Sequence, residues 1–324
     1  MQPKVSIIIL NWNGWSDTME CLESLNRLDY SNFEIILIDN GSKEKPPLVN
    51  VQFLKLSIFQ VFNEENLGFA GGNNQGINIA LERGADYILL LNNDTTVEPD
   101  FLKKLIAVAK ENKNYGILGP VINYYDEPDK IWFAGGQLNW LKTRGTHITD
   151  MNKIYSSSGI SQQRDEVEKS DFEESSRLAS LRSNSILEVD YITGCCLLIK
   201  KEVIEKIGLL AEEYFLYYED TDWCQRARRA GYLCGLAGEA KIFHKQSRSA
   251  QEFSYPYIYY HSRNGLIFAS RFGVKILVYL ASGWIFLKQI IKIIIGHKKE
   301  WAKPVWRGVW DFWRGKKGKL EGYY

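Results

Sequence analysis

Short apolar runs alternate with segments of helical spacing along the first third of the chain, and each run ends on polar residues. Residues 5–10, 33–38 and 87–91 are too short and too uniformly apolar for helices. They predict strands buried on both faces of a parallel sheet. Between the first two runs, Met19, Leu22, Leu25 and Leu28 recur at helical spacing, predicting a helix over residues 16–28 with Ser16 or Asp17 as its cap. Strand, helix, strand at this spacing is a right-handed βαβ unit. Further on, the pattern predicts a helix at 101–110 behind Pro99, a strand at 116–122 and a loop at 132–136. It continues with a strand at 189–199 and a short strand at 242–244 ending in His244. Residues 219–230 read as a helix whose first turn carries Glu219, Asp220 and Asp222, which the helix dipole favours, with Gly231 as its C-cap. Asp222 and Arg226, four apart, are expected to pair.

Two stretches break the alternation. Residues 156–185 are rich in Ser, Glu, Gln and Arg, the composition of a surface insertion or a lid. Residues 274–295 are strongly apolar but interrupted by Lys275, Lys288 and Lys292, which disfavours a simple membrane span. Beyond them residues 298–319 are basic, and Trp306, Trp310 and Trp313 fall at i, i+4 and i+7 on one helix face. That combination is expected to lie on an anionic membrane surface, with a packing helix as the alternative.

Composition narrows the class without changing this outline. The chain has 324 residues, 45% hydrophobic and 24% charged, with a formal net charge of +1, so it is globular and no general nucleic-acid binder. Its five cysteines show no CxxC spacing, which suggests neither zinc nor a disulfide framework and fits a reducing cytosol. No signal peptide is expected, because residues 1–10 lack a charged region leading into a long apolar core.

Candidate chemistry collects where strands end. Asn92, Asn93 and Asp94 follow the run at 87–91 and offer hard oxygen ligands suited to Mg2+ or Mn2+ carrying a diphosphate; a capped turn is the other reading. Asn11 and Asp39 close the first and second strands. The segment Asn66-Leu-Gly-Phe-Ala-Gly-Gly-Asn-Asn-Gln-Gly76 lets backbone approach a phosphate, or merely lets a helix pack tightly. It gives neither a dinucleotide-binding GxGxxG fingerprint nor a P-loop lysine, which weakens a nicotinamide-dependent reading. Gly194 marks a point of close approach, and Cys196 is expected in the core with no catalytic role for it or Cys195. Glu219 and Asp220 follow the aromatic run of residues 214–218, where a carboxylate can take a proton from a hydroxyl.

In their order and spacing, residues 5–14, 38–42, 66–74, 91–94, 193–196, 218–222 with Arg226, and His244 resemble the inverting glycosyltransferase family 2, particularly its rhamnosyltransferase-like members. The resemblance covers roughly residues 4–270. It implies a GT-A fold, an α/β domain with a Rossmann-like, mostly parallel central sheet flanked by helices, over residues 1–270; residues 271–324 are the helical membrane-associating tail that their apolar and basic pattern predicts. It also implies a nucleoside diphosphate sugar donor, a glycan or lipid-linked acceptor, and Mn2+ or Mg2+ at Asp94 and His244. Asp220 matches the catalytic base and Asp39 the residue holding the nucleoside base. Asn11, Asn66, Gly72, Asn93, Gly194, Glu219 and Arg263 are expected to face substrate, Arg263 either at the diphosphate or in a surface ion pair. The expected donor is dTDP-rhamnose, then UDP-hexose or UDP-galactofuranose, used peripherally on the inner face of the cell membrane. Asn92 and Ala211 depart from the family pattern, each standing where relatives often carry aspartate. A non-catalytic sugar-nucleotide or glycan-binding scaffold of the same fold is the rival reading.

Overall fold

The computed structural model describes residues 2–44, 56–139, 144–150, 186–245, 254–296 and 298–323. Four strands, β1 (Val5–Asn11), β2 (Phe33–Asp39), β3 (Ile58–Phe62) and β4 (Tyr87–Asn92), run parallel in the order β3-β2-β1-β4. Ile7, Ile8, Ile9, Leu89 and Leu90 are fully buried, as two-sided strands require. The edge strand β3 was not legible, because its half-exposed residues carry no uniform apolar run.

The helix α1 (Trp15–Leu25) is shorter than its pattern and is capped by Gly14 rather than by Ser16 or Asp17. Asp17 instead pairs with Lys245 at 2.8 Å. The glycine-rich segment is not a loop: α2 (Gly68–Glu82) begins at its first glycine. A Cβ on Gly72 would lie 2.4 Å from a Leu10 methyl, and one on Gly76 2.6 Å from a methyl of Ile8. Gly72 is therefore a packing residue that seats α2 on β1. The helix-propensity loss of about 0.5–1 kcal/mol per glycine is offset by that contact.

The remaining sheet comprises β5 (Thr95–Val97), β6 (Tyr115–Tyr124), β7 (Ile131–Phe133), β10 (Ile186–Val189), β11 (Cys196–Lys200) and β12 (Leu233–His244). The order continues β4-β11-β6-β12-β10, with β11 antiparallel to both neighbours and β12 parallel to β6. The region 189–199 is thus two strands, not one. Its first part pairs with β12 at the sheet edge and its second with β4 and β6 near the centre, so the chain must bend at residues 190–195. Residues 132–136 likewise supply the end of β7 and the start of β8 (Gly136–Asn139), which pairs with β9 (Arg144–His147). Helices α3 (Phe101–Glu111), α4 (Lys201–Ile207) and α5 (Glu219–Arg229) accompany these strands, and the insertion at 156–185 lies outside the described residues.

Three helices follow, α6 (Tyr255–Phe272), α7 (Lys275–Ile294) and α8 (Ala302–Trp313). Residue 270, the expected domain boundary, falls inside α6. The helix α8 packs on α6: the Tyr259 hydroxyl donates to Asp311 Oδ2 at 2.9 Å, and a Cβ on Gly308 would meet the Tyr259 carbonyl at 2.9 Å. Two of the three indoles expected to face a membrane also bond to α7, while Trp310 and Trp313 stay 52% and 41% exposed. Trp306 Nε1 donates to the Phe286 carbonyl at 3.0 Å and Trp313 Nε1 to Ser282 Oγ at 2.8 Å, fastening α8 to α7.

Candidate active site

The parallel register sets Asn11 beside Asp39, and Asn92 beside Leu10, so the carboxyl ends of β1, β2 and β4 form one polar edge. Most groups there bond each other. Asn11 Oδ1 accepts from the Gly14 amide and the Thr18 hydroxyl, and Asn93 Nδ2 donates to Asn11 Oδ1, the Gly14 carbonyl and Thr18 Oγ1. Asn66 Oδ1 accepts from Asn40 Nδ2 and the Gly68 amide, and Asn40 Oδ1 accepts from Asn63 and the Leu67 amide. Asp39 Oδ1 accepts from the Ser42 amide at 3.0 Å. Asn11, Asn66 and Asn93 thus shape this edge by holding its turns in place, and Asn40, which the motif reading passed over, is its hub.

The turn after β4 carries Asp94 to β12. Because β5 pairs with the end of β12, Thr95 lies opposite His244, and His244 Nε2 sits 3.2 Å from Asp94 Oδ2. Burial alone would push the imidazole down, but its neighbours Cys195 and Asp94 carry it up to about 10. Trp132 packs edge-on to His244 at 4.4 Å and reaches His147 at 5.0 Å; His147 in turn touches Phe133 and Tyr191. Burial, then the charge of His244, pushes His147 down to about 4, so it is neutral at physiological pH. Gly136 and Gly145 make room for the Tyr191 ring, since a Cβ on either would fall within 3 Å of it.

Opposite this row stands Asp220. Its Oδ2 accepts from the Gly194 amide at 2.8 Å, which is what the bend between β10 and β11 achieves, and its Oδ1 accepts from the Thr221 amide and hydroxyl. Burial nevertheless raises its pKa, these bonds notwithstanding. Its neighbour Glu219 is buried with Oε2 unbonded, and burial followed by the Asp220 charge pushes it up to about 8. The approach to this pair is strained. Phe215, Tyr217 and Tyr218 all take φ between 66° and 79°, which side chains of that size rarely adopt. What holds them is α6: Asn264 Nδ2 donates to the carbonyls of Tyr214, Leu216 and Tyr217, and Arg263 Nη2 to that of Tyr214. Arg263 is accordingly not a surface residue, and among the described residues it forms no ion pair. It is 1% exposed, also donates to Tyr259 and Asn264, and acts as a pillar under the loop. Asp222 pairs with Arg226 at 2.7 Å as expected, and also with Arg271 at 2.5 Å.

The family model described as Glycosyl transferase family 2 matches residues 6–208. The chain belongs to that family. Among relatives of this glycosyltransferase, a low-salt glycan biosynthesis hexosyltransferase of Haloferax volcanii is 24% identical over 99% of the chain and 94% of its own length. A dTDP-rhamnosyl transferase of Shigella flexneri is 24% identical over 75% of the chain and 70% of its own. An N-acetylglucosaminyl-diphospho-decaprenol L-rhamnosyltransferase of Mycobacterium tuberculosis is 24% identical over 76% and 78%. Among solved structures, the Pyrobaculum calidifontis mannosyltransferase with GDP-Man and Mn2+ aligns over 98% of this chain and 88% of that one, with a TM-score of 0.56 and 12% identity. GalNAc-T7 with UDP, GalNAc and Mn2+ aligns over 81% and 48%, with a TM-score of 0.55 and 15% identity. The fold is GT-A, as the mixed, largely parallel sheet requires.

In this glycosyltransferase, Asp94 and His244 offer one hard oxygen and one imidazole, and His244 Nδ1 is buried with no hydrogen-bond partner. No group of three or more His, Cys, Asp or Glu side chains suited to a metal occurs among the described residues. Such a two-donor set fits a Mg2+ or Mn2+ ion that takes its other ligands from phosphate and water, not a closed zinc site. Trp132, His147 and Tyr191 pack in one aromatic row beside His244, and the motif reading gave none of them a role. The aromatic residues beside the Gly135-Gly136 pair were their one visible signal.

Proposed function

We propose that this glycosyltransferase moves a sugar from a nucleoside diphosphate donor to an acceptor hydroxyl with inversion, and that Asp220 is the general base. The observation that carries the reading is the setting of Asp220: a carboxylate of raised pKa, fixed through both oxygens at the start of α5 beside the bend at Gly194. A raised pKa brings a carboxylate nearer the working pH, where it accepts a proton best. Asp220 takes the hydroxyl proton while the acceptor oxygen forms its bond to the anomeric carbon and the bond to the diphosphate oxygen breaks. One displacement inverts that carbon. Asp94 and His244 would hold a divalent cation, which supplies charge neutralisation for the departing diphosphate. Asp39 holds the nucleoside base, at the end of β2.

The donor we favour is dTDP-rhamnose and the acceptor a lipid-linked glycan, a choice supported by the names of the Shigella and Mycobacterium relatives. UDP- or GDP-hexose is second, on the strength of the Haloferax relative and the mannosyltransferase neighbour. A thermal-shift panel of dTDP, UDP and GDP, each with and without Mn2+, tests both points, because a ligand that binds only the native state raises its melting temperature. A Mn2+-dependent shift with dTDP alone is expected. A shift with UDP or GDP instead would replace the donor, and no shift with any of them would overturn the catalytic reading.

A further inference from the structure

The helix α7 is apolar around almost its whole circumference, with a mean hydropathy of 1.6, yet only 17% of its most apolar window is buried. Its one buried seam, Val278, Ser282 and Gln289, faces α8. On the opposite side Ile276, Leu280, Trp284, Leu287, Ile291 and Ile294 fall at i, i+4, i+8, i+11, i+15 and i+18, and each is 44–77% exposed. Soluble surfaces rarely carry an unbroken apolar stripe of this length, about 30 Å by helical rise. Charge is partitioned as well. Residues 274–324 hold eleven lysines and arginines against three acids, whereas residues 1–273 hold 29 against 36.

We infer that α7 lies in the surface of a lipid bilayer, its stripe among the acyl chains and the surrounding lysines against anionic headgroups. Apolar stripe and basic rim together are the signature of an interfacial helix. A second copy of the chain suits the face less well, since a two-fold dimer would bring two strongly cationic rims together. The helix lies in the plane rather than crossing it. Trp306 and Trp313 bond it to α8, and Asp311 bonds α8 to Tyr259 of α6, so α7 belongs to the folded body. The sequence pointed to the tryptophan helix; the exposed stripe adds α7 as a contact, braced by α8.

Co-sedimentation of the full chain with vesicles tests this, and needs neither donor nor acceptor. The protein is expected to pellet with phosphatidylcholine vesicles containing phosphatidylglycerol, and about tenfold less with phosphatidylcholine alone, because cationic contacts depend on anionic lipid. The triple variant Leu280→Glu, Trp284→Glu, Ile291→Glu, on the exposed stripe, should keep its melting temperature and stay in the supernatant. Equal sedimentation of that variant and the wild type, or no sedimentation of the wild type, overturns the inference. So does a stable dimer in solution that the triple variant makes monomeric without any vesicle binding.

Discussion

At the carboxyl ends of β1 and β2, polar residues satisfy one another, while along residues 214–222 the backbone is strained and buried titratable groups stand unneutralised. The Asn40 side chain makes four hydrogen bonds at the first wall. The second wall has three residues at positive φ, a Glu219 oxygen without a partner and an Asp220 of raised pKa. On the function proposed above, the difference separates binding from chemistry. A surface that receives a donor gains from rigidity, whereas a proton acceptor must be held where its charge is poorly solvated.

The comparison breaks first at Asp220. Asp220→Asn keeps the shape and one oxygen acceptor, so transfer should fall by about 10²- to 10⁴-fold with the melting temperature nearly unchanged. Turnover at the wild-type rate would place the base elsewhere. Asn40→Ala should act oppositely, losing about 3 kcal/mol of stability as the Leu67 amide and Gly68 carbonyl lose their partner, with little change in kcat per folded molecule. Chemical denaturation together with active-site titration separates the two effects. Asn264→Ala tests the joint between support and chemistry. Freed of its clamp, the loop before Glu219 should relax, lowering kcat about tenfold, or about 1.4 kcal/mol in barrier, with a smaller change in KM.

The smallest effect is the pH dependence owed to Glu219. Burial raises its folded-state pKa from 4.5 to about 8, so the folded protein keeps a proton that the unfolded chain gives up. Its stabilising contribution is complete below pH 4.5 and is lost as pH rises toward about 8. Glu219→Gln removes that titration, and its melting temperature should vary less with pH across this window than that of the wild type. An identical slope would mean that another group carries the dependence.

Much of the site was legible because its residues terminate strands. Asp39, Asp94 and Asp220 were singled out at the ends of recognisable apolar or aromatic runs, and the structure puts Asp39 and Asp94 at strand ends and Asp220 at a helix start. The packing of Gly72 and the burial of Arg263 were not legible, because a glycine or an arginine looks the same in sequence whether it meets ligand or protein. Only the fold brings the Leu10 methyl to Gly72 and the carbonyl of Tyr214 to Arg263.

Taken by itself, the sequence determined the strand runs, the first βαβ unit, the helix holding Asp220 and the family. These depend on local periodicity and on residues close together in the chain. The tertiary structure alone decided that the Gly194 amide meets Asp220 and that Asn264 meets three carbonyls of the strained loop, and it sets His244 against Asp94, a pair the family resemblance had named. It also decided which face of α8 is covered and that α7 carries the exposed stripe. Periodicity says that a helix has an apolar face, but what covers that face depends on packing partners far away in the chain.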